Sequence, residues 1–286
     1  MKAYVNDKII DSDKAKISIF DRGFLYGDGL FETMRSYDGK VFRLNRHLDR
    51  LYSSMKSFKI RQRFSGKEME RVVYKLLDAN SFKNAYIRIT VTRGISCGGG
   101  LDISKNEIAN VVITAKEYAP RPAKYYEEGI KAGMARLRKN SQSFSSNFKV
   151  LNYLDNIIAR NEAIPGGFVE TVFLNEFGYI CEGSVSNIFM VCGDKVMTPS
   201  IDCGVLPGIT REAVLELAPY AGMATQEGRF KEEELKSSDE VFITNSLIEV
   251  MPVVKIAGRE IGNGDVGPVT RKIQELYKEL ERGSGL

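Results

Sequence analysis

From Lys149 to Phe189 the chain commits to a layout that few folds accommodate. It reads SSNFKVLNYLDN, then a helical run to Ala163, a strand TVFLN, a turn EFGY, and ICEGSVSNIF with Glu182 near its head. A strand, a tight turn and a second strand make a hairpin, and the preceding helix must lay its apolar side on a sheet. One lysine therefore stands ahead of the helix and one carboxylate on the far strand of the hairpin. A lysine among apolar and hydroxyl neighbours can lose its proton, because burial penalises the ammonium. The free amine can attack an aldehyde and hold it as a Schiff base. A carboxylate beyond the next strand could bond a ring nitrogen and keep it protonated. A lysine imine with an acidic partner for a pyridine ring is the working pair of pyridoxal-phosphate chemistry.

Other chemistries have less to stand on. The single histidine, His47, lies in RLNRHLDRLYSSMKSF beside arginines on a helical pattern and reads as structural. Every Ser-His-Asp or Cys-His arrangement would have to use it, and zinc sites of several histidines are excluded. Cys97, Cys181, Cys192 and Cys203 are scattered without a CxxC pair, which suits free thiols in a reducing compartment. The formal charge of +4 is spread over 286 residues, with no basic block interleaved with aromatics, so nucleic acid is not an expected partner. The N-terminal MKAYVNDKIIDSDKAKISIFDRG lacks a signal-peptide core, and no apolar run nears the roughly 20 residues needed to span a bilayer. No membrane association and a cytoplasmic location are the expectation.

Periodicity gives a mixed α/β layout. AYVN, the turn NDK and KIIDS read as a strand pair with KISIFD following, and DRGFLYGDG reads as a turn-rich lead into the strand LFETMRSY. Asp38-Gly39 turns that strand back into KVFRL. Leu48, Leu51, Tyr52, Met55 and Phe58 recur at helical spacing between Asn45 and Phe58, and a second helix runs from Gly66 or Lys67 to Leu77. AYIRITVTRG and NVVITAKEY are strands joined by the loop ISCGGGLDISKNEIA. APRPAKYYEEG reads as a linker, which predicts domains at 1–118 and 126–286 around a linker at 119–125. In the second, IKAGMARLR, EVFITNS and EVMPVVKIAG are strands, Pro199 to Pro207 is loop, a helix begins near Thr210, and Val269 to Leu280 closes the chain. Lys231-Glu232-Glu233-Glu234 reads as a solvated helix start. Gly208-Ile209-Thr210-Arg211 offers a glycine and a hydroxyl at an N-cap position. That is either an anion site or an ordinary Thr-capped helix. Ser246, at a strand end, is a second hydroxyl of the same standing. YGDG and CGGG fit no Walker or Rossmann fingerprint and read as tight loops.

Taken together, DRGFLYGDGLFETMR, RHLDRL, YIRITVTRG, KVLNYLDN, EGSVSNIF, GVLPGITR, EVFITNSLIEVMPV and GNGDVGPVT resemble the class IV (fold type IV) pyridoxal-phosphate enzymes. These are the branched-chain and D-amino-acid aminotransferases and the aminodeoxychorismate lyases. The resemblance spans nearly the whole chain with its motifs in order. It implies a small α/β domain, a larger pseudo-barrel domain and a homodimer. It also implies pyridoxal 5'-phosphate as cofactor and an amino acid and a 2-oxo acid as substrates. Residue by residue, it implies that Lys149 is the Schiff-base lysine and proton shuttle, that Glu182 pairs with the ring nitrogen, and that Arg50 grips the phosphate. Ile209 and Thr210 would supply helix N-terminal amides and a hydroxyl, Ser246 a second hydroxyl, and Tyr153 a neighbour of the phenolic oxygen.

The resemblance implies transamination with branched-chain substrates, and Tyr26 and Phe31 would wall an aliphatic side chain. Arg35, Arg88 or the Leu247 amide would meet the substrate carboxylate. Two features point toward the lyases instead. Lys149 is followed by Val-Leu-Asn rather than Gly-Asn-Tyr, and the phosphate strand ends Thr244-Asn245-Ser246-Leu247 rather than Gly-Thr-Ala-Ala. The D-amino-acid pattern lacks its carboxylate-binding tyrosine, since Phe31 stands there, and lacks the Arg and His that follow TRG. A binding protein that kept the fold and lost the chemistry is the remote alternative.

Overall fold

The computed structural model describes residues 1–95, 100–104 and 108–283. They divide into two units. One is Met1–Ala119 with Phe148–Asn152, and the other is Pro120–Asn147 with Tyr153–Leu286.

In the first unit the elements are β1 (Lys2–Val5), β2 (Lys8–Asp11), α1 (Arg22–Tyr26), β3 (Gly29–Tyr37), β4 (Lys40–Val41), α2 (Leu44–Ser57), α3 (Gly66–Asn80), β5 (Ala85–Thr92) and β6 (Asn110–Glu117). The strands form one antiparallel sheet in the order β2-β1-β6-β5-β3-β4. Ala85, Ile87, Ile89 and Val91 are buried while Tyr86, Arg88 and Thr90 are only half-buried, the alternation of a sheet with one covered face. Helices α2 and α3 cover it with Leu44, Leu48, Leu51, Met55, Met69, Val73, Leu76 and Leu77. Each such side chain stabilises the fold by about 1.5–3 kcal/mol. Ser65 and Glu68 close a capping box at the start of α3. Asp38 (φ 45°) and Gly39 (φ 84°) make the predicted β3–β4 turn, with both central residues left-handed as a two-residue hairpin requires.

Phe148–Asn152 joins this unit through backbone pairing rather than chain order. The Phe31 amide donates to the Lys149 carbonyl at 2.9 Å, and the Leu151 amide to the Gly29 carbonyl at 3.0 Å. Five residues assigned from sequence to the second domain thus extend the first unit's sheet.

The second unit contains α4 (Lys124–Glu127), β7 (Ile130–Lys139), α5 (Leu154–Ala163), β8 (Glu170–Asn175), β9 (Ile180–Gly183), β10 (Asn187–Cys192), β11 (Lys195–Pro199), α6 (Ile209–Leu217), β12 (Ala224–Gly228), α7 (Glu232–Lys236), β13 (Glu240–Asn245), β14 (Glu249–Ile256), β15 (Arg259–Glu260) and α8 (Pro268–Glu281). Its mixed sheet runs β12-β11-β10-β13-β14-β7-β8-β9, with β15 on β14. Strand β9 also packs on β10 and β11, so the sheet curls. All of β8 and β9 is buried, with one apolar cluster around Val172, Ile188 and Ile243 and another around Phe173, Cys181 and Val205. The α8 N-terminus is fixed by a distant carboxylate. Glu240 accepts from the amides of Val269 (3.0 Å) and Thr270 (2.7 Å). A Cβ on Gly267 would stand 2.0 Å from the Glu240 Cδ, which accounts for the glycine of GNGDVGPVT.

Several sequence expectations change. KISIFD forms no strand; only Asp21 makes an isolated bridge, to Ile95. The stretch read as turns holds α1, capped by Asp21, which accepts from the Gly23 amide, and stopped by Gly27 at φ 66°. The expected linker runs into α4, and the Pro199–Pro207 loop contains a 3-10 turn at Ile201–Cys203. Lys231 does precede a helix but is not merely solvated: its Nζ donates to the Phe177 carbonyl at 2.9 Å and lies 3.9 Å from the Tyr179 ring centroid. The ISCGGGLDISKNEIA loop and Cys97 lie wholly or partly outside the described residues.

Candidate active site

In the first unit, strand parity sorts the candidate residues. The β3–β5 register opposes Phe31 to Thr90 and Thr33 to Arg88, so these four share a face with Arg35. Phe148 and Val150 pack toward the core, and Lys149, alternating with them, reaches the other side. Its Nζ lies 4.5 Å from the Phe31 ring centroid, and the Arg88 guanidinium lies 3.7 Å from the same centroid. Phe31 is buried and Lys149 half-buried. Arg35 is held elsewhere on that face, stacked on Tyr37 (4.2 Å) and Tyr118 (3.7 Å). Tyr26 is exposed, with the Arg22 guanidinium 5.0 Å from its centroid.

Glu32 takes the opposite parity and is buried under α2. Arg50 donates to it from Nε (2.8 Å) and Nη2 (2.7 Å), and His47 Nδ1 lies 2.8 Å away. Burial alone would raise the Glu32 pKa. The Arg50 charge and the His47 hydrogen bond outweigh it and hold the carboxyl at about 2. Burial, with Arg50 and Lys149 nearby, lowers the His47 pKa despite Glu32, so a neutral ring donates Nδ1–H. The histidine orients a carboxylate, and the carboxylate orients one edge of the Arg50 fork.

In the second unit, Glu182 ends the β8–β9 hairpin with its side chain 11% exposed. One oxygen pairs with Lys139 Nζ at 2.5 Å. The other accepts from the Leu206 amide (3.0 Å) and Asn187 Nδ2 (3.3 Å). Three directions are thus fixed, and an accessible edge remains. Gly208 is the N-cap of α6, and a Cβ there would stand 1.9 Å from Asn187 Oδ1. Thr210 is therefore not the N-cap that its sequence position suggested. It is the second helical residue, and its Oγ1 is buried with no hydrogen-bond partner. The amides of Ile209 and Thr210 stand in the first turn, where a helix has no acceptors of its own. Ser246 is half-buried in the turn after β13. The Leu247 amide donates to Asn245 Oδ1 at 2.8 Å. Tyr153 is the half-buried N-cap residue of α5.

A family model for amino-transferase class IV matches residues 29–256. The chain belongs to the class IV aminotransferases. It is 39% identical over 287 residues to a provisionally named branched-chain-amino-acid aminotransferase of Methanocaldococcus jannaschii, covering 100% of this chain and 98% of that one. It is 35% identical to an aminodeoxychorismate lyase of Bacillus subtilis, covering 96% and 93%. Among solved structures it is similar to the branched-chain amino acid aminotransferase of Escherichia coli, at TM-score 0.94 and 30% identity over 100% and 96% of the chains. The mixed α/β fold is that of fold type IV.

Class IV aminotransferases use pyridoxal phosphate, and the residues of this chain fit it. A buried hydroxyl lacking a partner lies beside first-turn amides, as a phosphate requires. The Glu182 carboxylate is fixed by Lys139 and the Leu206 amide and keeps an accessible edge, an arrangement that a protonated ring nitrogen would fit. Among the described residues, no group of His, Cys, Asp and Glu could hold a metal, and no helix is long and apolar enough to cross a membrane. Sequence reasoning missed Glu32, Lys139, Asn187 and Leu206. Glu32 stands in LFETMR between Phe31 and Arg35, and Asn187 closes EGSVSN, but neither segment says which residue meets which partner. Lys139 shows only as one of several cations ending IKAGMARLRK.

Proposed function

We propose that this class IV aminotransferase moves an amino group between a branched-chain amino acid and a 2-oxo acid. The observation that carries this reading is Lys149 Nζ above a buried aromatic ring, with its own backbone tied to the strand bearing that ring. Such a lysine has a fixed reach and an apolar wall beside it, which suits an aliphatic substrate.

Pyridoxal phosphate supplies a carbonyl for the amine and an electron sink for the pair left on Cα when its proton departs. Lys149 Nζ would hold the cofactor's aldehyde and, once released from it, would act as the base that moves the substrate Cα proton. Glu182 keeps the ring nitrogen protonated, braced by Lys139 and the Leu206 amide. Arg50, Ile209, Thr210 and Ser246 would hold the phosphate, and Tyr153 would neighbour the phenolic oxygen. Phe31 and Tyr26 wall the side chain. Arg88 meets the substrate carboxylate, because it shares the Phe31 ring with Lys149 whereas Arg35 is clamped by two tyrosines.

The working unit is a homodimer. Leu154, Ile157 and Ile158 of α5 expose an apolar stripe, and Ile19, Phe20, Phe24 and Leu25 expose another in the first unit. We place the enzyme in the cytoplasm, where Cys181, Cys192 and Cys203 stay free thiols.

A lyase is the second reading, favoured by Lys149-Val-Leu-Asn152, by Asn245-Ser246-Leu247 and by the Bacillus subtilis relative. Purified enzyme loaded with pyridoxal phosphate is incubated separately with L-leucine plus 2-oxoglutarate, D-alanine plus 2-oxoglutarate, and aminodeoxychorismate. Glutamate formed from L-leucine is the expected result. Pyruvate and 4-aminobenzoate from the third incubation, with no glutamate from the others, would overturn it.

A further inference from the structure

We infer that Glu170 is a positioning residue for Glu182, acting through the turn at residues 183–186. This rests on the reading of Glu182 as the partner of the ring nitrogen. Glu170 opens β8 and is 1% exposed, and its carboxylate faces donors. Arg160 Nη1 donates at 2.9 Å, the amides of Thr171 and Ser184 at 2.8 and 3.1 Å, and Ser186 Oγ at 2.9 Å; Ser184 Oγ also donates. Three of these donors belong to the turn that follows Glu182.

The rest of the turn is tied down as tightly. Asn156 Nδ2 donates to the Ser184 carbonyl at 2.6 Å, and Asn245 Nδ2 to the Val185 carbonyl at 2.9 Å. A Cβ on Gly183 would stand 2.2 Å from Ser186 Oγ and 3.1 Å from the Glu170 Cδ. Glu182 enters the turn, and Asn187, which leaves it, donates back to the Glu182 carboxylate at 3.3 Å. Both ends of the turn therefore meet at one carboxylate. Moving the Glu170 anchor moves Glu182, although Glu170 makes none of the bonds to Glu182 itself. Partners of this kind around a ligand-holding group change affinity by about 10–100-fold when removed.

The test uses full-length apoprotein titrated with pyridoxal phosphate, in wild type, Glu170→Gln, Glu170→Ala, Glu182→Gln and the Glu170→Ala/Glu182→Gln double variant. Three quantities are read: the dissociation constant, the pH midpoint of the absorbance change of the bound cofactor, and the melting temperature of the apoprotein. Glu170→Ala is expected to weaken binding about 10–100-fold and to move the midpoint in the same direction as Glu182→Gln. Adding it to Glu182→Gln moves the midpoint no further, because the two act on one bond. Glu170→Gln, which keeps the shape and the acceptor, restores most of the wild-type midpoint. A Glu170→Ala enzyme that melts lower yet keeps the wild-type midpoint and affinity overturns the inference and leaves Glu170 a fold residue. Should Glu170→Ala not fold, Ser184→Ala/Ser186→Ala, which removes the turn's two hydroxyl donors to Glu170, decides: a midpoint moved in the direction of Glu182→Gln supports the inference, and the wild-type midpoint and affinity overturn it. If Glu182→Gln itself leaves the midpoint and affinity unchanged, the reading of Glu182 fails first, and the inference with it.

Discussion

Glu32 and Glu182 are both acidic residues on strands, and each faces one strong cation, yet their surroundings differ. Glu32 is 1% exposed, with a bidentate arginine edge and a histidine around it. Glu182 has Lys139 on one oxygen and two weaker donors on the other, and its side chain keeps 11% exposure. A carboxylate saturated inside the protein serves to orient other groups. One held from three sides with an open edge can still take a ligand. The difference comes from strand position: Glu32 lies mid-strand on the helix-covered face, whereas Glu182 lies at a hairpin end beside a turn.

The largest effect should follow from removing Glu32. Glu32→Ala leaves Arg50 and a histidine buried against each other without their anion, and breaking a buried pair in this way costs about 3–5 kcal/mol. Chemical denaturation should show that loss in the apoprotein. A loss near zero would mean that Glu32 is not the saturated partner described. The same group sets an acid limb. Its folded pKa of about 2 lies below the ordinary 4.5, so its stabilisation is complete above about pH 4.5 and disappears as pH falls toward 2. The amount lost across that window is about 3 kcal/mol, and denaturation at stepped pH should find it in wild type but not in Glu32→Gln.

A smaller effect separates the two carboxylates directly. Lys139→Met removes the cation from Glu182 and should destabilise the apoprotein by about 1.5–3 kcal/mol, the range of a hydrogen bond to a charged group. If Glu182 faces the ring nitrogen of bound pyridoxal phosphate, that nitrogen gives it a second cationic partner, and the loss should shrink. Melting curves of loaded and unloaded protein measure both. Equal losses in the two states would show that Glu182 faces no cofactor.

What the sequence disclosed follows the same division. Periodic signals were legible because they are local: the Asp38-Gly39 hairpin, the apolar stripe from Leu48 to Met55, and the amphipathic helix closing the chain. The family was legible because a string of motifs runs along the chain in order. Glu32 and Lys139 were not, since nothing in a run of alternating residues says which carboxylate will meet a helix-borne arginine across a sheet. KISIFD reads as a strand by alternation but has no neighbouring strand to complete its bonds. The N-cap at Gly208 escaped for a related reason. Threonine and glycine cap about equally well, but the close approach of Asn187 admits only glycine at that place.

The smallest effect is the most discriminating. Thr210 Oγ1 is buried without a partner, a state that costs about 1–3 kcal/mol for a hydroxyl. Thr210→Val keeps the shape and deletes the orphan, so the apoprotein should be as stable as wild type or more stable by about 1 kcal/mol. If the hydroxyl exists to meet a phosphate, the same change should weaken pyridoxal-phosphate binding about tenfold, which corresponds to about 1.4 kcal/mol. Stability and affinity then move in opposite directions from one atom, which neither a packing defect nor general loosening produces. Glu32→Ala, by contrast, should lower both. Denaturation of the apoprotein together with titration by fluorescence gives the two numbers. A Thr210→Val protein that binds the cofactor as tightly as wild type would assign the hydroxyl to the fold and remove Thr210 from the phosphate site.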